Sequence, residues 1–139
     1  MPLVKRFEDL EAWQAGRQLA RTICAVTDDG DFRRDFSLID QARRAALSVM
    51  NNIVEGFDSG STAEFVRFLG YARRSASEVQ SCLYVALDRE YLSPAKFQQA
   101  YDEAERVRAL IAGFIRYLRH DRPSSRMHVS TYARRNEDP

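Results

Sequence analysis

Histidine, cysteine, lysine and proline are all scarce in this chain of 139 residues, and each scarcity excludes something. The two histidines, His120 and His128, lie at or beyond the last helical stretch, so the paired Glu-x-x-His motifs of a di-iron bundle are missing. Cys24 and Cys82 have no second cysteine at ligand spacing, which argues against zinc. Both lie inside helical pattern, as expected of unbridged core thiols in a reducing cytosol. Proline is absent from residues 3 to 93, and no glycine-rich phosphate loop occurs. No apolar run approaches the roughly 18 residues of a membrane span, and the opening Met1-Pro2-Leu3-Val4-Lys5-Arg6 is not expected to act as a signal peptide. These absences lead to the expectation of a cytoplasmic, non-enzymatic protein with no cofactor, no metal, no membrane partner and no small-molecule substrate.

What is present fits one soluble domain. Hydrophobic residues make up 45% of the chain, charged residues 29%, and the mean hydropathy is −0.46. A chain of this length buries roughly 68% of its unfolded surface, enough for a core without disulfides or metal. Of the 21 basic residues only Lys5 and Lys96 are lysine, which leaves 19 arginines. Their planar donor forks suit carboxylates, phosphates and interfaces, although a GC-rich genome gives the same bias. The net charge is only +1; five arginines against three acids fall in residues 119–139, and the remainder is slightly acidic. That balance is not the footprint of a strong non-specific nucleic-acid binder.

Helical periodicity dominates and strand-like alternation is scarce. A first helix is expected from an Asp9 cap to Thr27, with Ala12, Trp13, Leu19, Ile23 and Val26 on its apolar stripe. Asp28-Asp29-Gly30-Asp31 breaks it. A second helix is expected over Ser37–Phe57, and a third from a Ser61–Glu64 capping box to Glu90. Ser93-Pro94 opens a fourth that runs to Arg119. Four amphipathic rods with short connections predict an all-α, up-down-up-down four-helix bundle over residues 1–120, followed by a flexible tail over 121–139.

The second helix is unusually apolar. Beside the stripe of Leu38, Ala42, Ala45, Val49 and Ile53, the residues Ala46, Leu47, Met50 and Val54 widen the apolar arc to roughly 200°, where about 100° serves most surface helices. Either this helix is central and deeply buried, or Leu47, Met50 and Val54 form a second interface between copies of the chain. The rest of its arc carries Arg44, Ser48, Asn52 and Glu55, and the third helix carries a column that includes Ser75 and Glu78. These columns are either solvated faces or one hydrogen-bonded network across two helices or two subunits. The arginine doublets Arg43-Arg44 and Arg73-Arg74, with Arg67 one heptad before Arg74, read as surface ion pairs or as phosphate-binding groups repeated around an oligomer axis. Glu78 is placed to neutralise Arg74. An Arg–His ribonuclease site on the last helix is a remote alternative: Arg116 and His120 are one residue too close, and Arg122 and His128 flank a helix-breaking Pro123.

Taken in order, these segments resemble a known family. The carriers are Phe7-Glu8-Asp9-Leu10-Glu11-Ala12-Trp13-Gln14, then Leu38 to Val49 with Asn52-Ile53-Val54-Glu55-Gly56, then Glu64-Phe65, Arg67-Phe68-Leu69, Ala72, Ser75 and Glu78. Together they resemble the bacterial four-helix-bundle proteins encoded in intervening sequences of 23S rRNA genes. The resemblance implies a left-handed up-down bundle that assembles with itself as a homopentameric barrel. The same fold serves as the accessory variability protein of diversity-generating retroelements, which implies RNA, DNA or a nucleic-acid enzyme as partner. It also favours the structured network over the solvated face for Arg44, Ser48, Asn52 and Glu55.

Overall fold

The computed structural model describes residues 4–120, and the expected tail over 121–139, with Arg122 and His128, lies outside them. Four helices make up the described chain: α1 (Glu11–Thr27), α2 (Phe36–Asp58), α3 (Thr62–Asp88) and α4 (Pro94–His120). Short 3-10 turns at Phe7–Asp9 and Gly30–Arg34 complete it, and there is no strand among the described residues. No helix in that region is long and apolar enough to cross a membrane.

Each helix packs against its neighbours in sequence, and α1 closes the ring against α4. The contacts fix the directions. Gly56, near the end of α2, meets Phe65 at the start of α3, and Ser48 further back on α2 meets Ser75. Gln80 of α3 reaches Glu105 of α4, whereas Phe65 stacks edge-on with Phe114 at 5.2 Å. Successive helices therefore run antiparallel. Leu19, Ile23, Val49, Ile53, Leu69, Val79, Val107 and Ile111 fill the centre and are shut off from solvent.

Local chemistry sets the ends. Asp35 caps α2, which opens at Phe36, one residue before the expected start: its Oδ1 accepts from the Leu38 amide at 3.2 Å. Asp9 does not cap α1, because it sits in the preceding 3-10 turn and Leu10 occupies the cap position. Ser61 accepts from the Glu64 amide at 3.3 Å as expected, but Glu64 does not reach back. Its carboxylate turns to Arg67, at 2.6 Å, since an arginine one turn away offers two donors against the single amide of a capping box. Ser93 caps α4 through the Lys96 amide. Cys24 is exposed rather than a core thiol, and Cys82 is half-buried; both are free.

The loop between α1 and α2 contributes to the core, which periodicity did not indicate. Phe32 is only 1% exposed and stacks on Tyr91 at 5.2 Å between ring centres. Asp35 ties the same end together by accepting from Tyr91 Oη at 3.0 Å and from Arg89.

Candidate functional site: an arginine groove

The expected arginines divide into two sets. Arg43 donates from Nε to Thr27 Oγ1 at 2.9 Å and pairs with Asp28 at 2.7 Å, so it staples α2 to the carbonyl end of α1, where a cation is favourable. Arg44 pairs with Asp40 one turn back at 2.9 Å. Arg67 is held by Glu64 and donates to Tyr71 Oη at 3.2 Å, with its guanidinium over the Phe68 ring. Three of the five are thus engaged by partners within the fold.

Arg73 and Arg74 have no ion pair among the described residues, although Arg74 covers the Tyr71 ring and Arg73 lies near enough to Glu105 to favour its ionised form. They line a groove of about 400 Å³ between α3 and α4, together with Arg108, Arg116 and Arg119. Helical geometry brings them there: positions 73 and 77 of α3 and positions 108, 112, 115, 116 and 119 of α4 face the same seam. Gly70 and Ala112 leave the groove open; a Cβ added at Gly70 would meet nothing within 4 Å. Among the described residues no aspartate or glutamate lines it. Arg73, Arg74, Arg116 and Arg119 form no ion pair among the described residues, and Arg74 lies over the Tyr71 ring at 5.7 Å instead of meeting Glu78. Arg108 alone has a carboxylate, Glu105, at 2.9 Å at one end of the seam. A hydrogen bond from Gln80, then Arg108 and the charge of Arg73, hold that carboxyl below its usual range, so it stays ionised at this end of the groove.

The expected polar network forms in part. Asn52 Nδ2 donates to the Ser48 carbonyl at 2.8 Å and to Ser48 Oγ at 2.9 Å, and Ser75 Oγ donates to Ser48 Oγ at 2.9 Å. This chain links α2 to α3 where Ser75 is buried. Arg44 and Glu78 stand beside it, lining a groove of about 460 Å³ with Ser48 and Cys82, and Glu55 is exposed. Burial, and then the charge of Glu78, push the Cys82 thiol up, away from reactive thiolate.

The broad apolar arc of α2 is partly used inside the molecule. Ala46 is buried, and Met50 lies against α1, where its Cγ is 3.6 Å from the position a Cβ on Gly16 would take. Leu47 remains 53% exposed, with half-buried Val54 two turns further along. Phe36, 78% exposed, falls on the same side of the helix and was not singled out from the sequence because it stands outside the expected helix.

An all-α fold, four helices among the described residues, with an arginine-lined groove and an exposed apolar stripe, is the class that fold and surface define. Within it, the chain belongs to the 23S rRNA-intervening sequence protein family, which it matches over residues 8–113. That is the family whose motifs the sequence resembles. The fold is also similar to the crystal structure of a protein of unknown function from the S23 ribosomal protein family of Bacteroides thetaiotaomicron, with TM-score 0.69 and 19% identity over 75% of this chain and 97% of that one. At that identity the likeness concerns the fold. No curated protein matches the chain.

Proposed function

We propose that this protein is a non-enzymatic, cytoplasmic scaffold that assembles with itself through the outer stripe of α2 and associates with nucleic acid. The carboxylate-free arginine groove between α3 and α4 carries the nucleic-acid half of the proposal. Near-neutral net charge is no obstacle, because the field that a phosphate meets is local, and four acids elsewhere are paired with Arg43, Arg44, Arg67 and Lys96. Exposed Phe36 and Leu47 support self-assembly, and the family resemblance sets five as the expected number of copies. Repetition around an axis would multiply a modest groove into a strong one.

Binding of labelled mixed-sequence RNA and DNA, followed by anisotropy across a salt series, tests this. Affinity is expected to fall steeply as salt rises, because phosphate contacts release counterions. Absence of binding at low salt overturns the nucleic-acid half. It would leave the second reading, a protein-only assembly module, which the apolar stripe of α2 supports independently.

A further inference from the structure

The α3–α4 seam continues past the arginines to an aromatic cluster whose exposed member is Tyr84. Tyr84 follows Arg73 by eleven residues, nearly a whole number of turns, so both occupy the same side of α3 about 16 Å apart. Tyr84 is 50% exposed and braced from the α4 side by Phe97 and Tyr101, whose ring centres lie 5.0 and 5.7 Å away. On α4 the same line runs through Arg119, Arg116, Arg108 and Tyr101, about 27 Å in all. Glu105, the acid between the two zones, is already held by Gln80 and Arg108.

We infer, resting on the nucleic-acid association proposed above, that this seam is a track for single-stranded nucleic acid: phosphates lie along the arginines and a base stacks on Tyr84. Two observations select a single strand over a duplex. Arg108 sits low in the seam, its side chain only 27% exposed, between helices whose axes are roughly 10 Å apart. A slim strand reaches that floor, whereas a duplex resting on two convex helices touches only the arginine tips. A basic groove that runs on to an exposed aromatic ring, here Tyr84, also suits strands with unpaired bases, since a base buried in a duplex stack offers no free face. The 27 Å line matches roughly eight stacked nucleotides of one strand.

The test uses the full chain and a short fluorescent oligonucleotide, alone and annealed to its complement, titrated across a salt series. The single strand is expected to bind at least about tenfold tighter than the duplex. Replacing Arg73 and Arg116 together by Ala is expected to reduce the log–log salt slope by about 1.4, roughly 0.7 per lost phosphate contact. Tyr84→Ala should weaken binding about tenfold with the slope unchanged, and Tyr84→Phe should retain it. Arg44→Ala, on α2 and away from the seam, should change neither. Equal or tighter duplex binding overturns the single-strand assignment. Binding that survives loss of Arg73 and Arg116 removes the groove as the site while leaving nucleic-acid association intact. Failure to bind any oligonucleotide at low salt defeats both.

Discussion

Gly56 and Gly70 both sit inside helices, yet the same substitution should act on them in opposite directions. A Cβ at Gly56 would come within 2.8 Å of a Phe65 ring carbon and 3.0 Å of Phe68 Cβ, at the crossing of α2 and α3. Gly56→Ala is therefore expected to destabilise the fold by about 1–3 kcal/mol. Gly70→Ala meets open space and removes unfolded-state freedom, so a gain of up to about 1 kcal/mol is expected. Urea denaturation measures both. At Asp35, the Leu38 amide, followed by Tyr91 and Arg89, holds the carboxyl below its usual range. A depressed folded value stabilises the protein above the ordinary carboxylate range, and that stabilisation is lost as pH falls through the folded value. Asp35→Ala should accordingly lower the melting temperature at neutral pH, and the gap from the parent should narrow below about pH 4. These residue-level devices were unevenly legible: Ser61 and Ser93 announce caps by their spacing, whereas Asp35 was hidden among the loop acids because its partners Arg89 and Tyr91 come from another helix end.

Among the elements, α2 shows both the reach and the limit of a helical wheel. Periodicity correctly identified Leu38, Ala42, Ala45, Val49 and Ile53 as core, because burial in a bundle follows the angle around the helix. It could not divide the wider arc between a neighbouring helix and an outside partner. Met50 turns to α1, so a charge there would disturb the bundle itself as well as any assembly. Leu47 is the cleaner probe. Leu47→Arg is expected to leave the helical signal unchanged and to shift the particle towards monomer in sedimentation; full retention of assembly would count against α2 as the contact surface. Within the bundle, Ile53→Ala should cost about 2–5 kcal/mol, since its side chain is wholly enclosed.

For the molecule as a whole, the arginines matter by arrangement rather than number. Purified protein incubated with RNA should leave it intact, as expected of a scaffold. Cleavage abolished by His120→Ala would instead support the Arg116–His120 site on α4. The helices, their order and the caps of α3 and α4 could be read from the chain alone, because hydrophobic period and capping act over a few residues. The family motifs were legible for the same reason: they are runs along single helices. Which arginines remain free was decided only by tertiary packing. Arg43 finds Thr27 and Asp28 because α2 lies against the end of α1, while Arg73 and Arg116 come from different helices to line one groove whose own lining holds no acid among the described residues. Charge neutralisation depends on distances of a few ångströms between different helices, and those distances exist only once the bundle has closed.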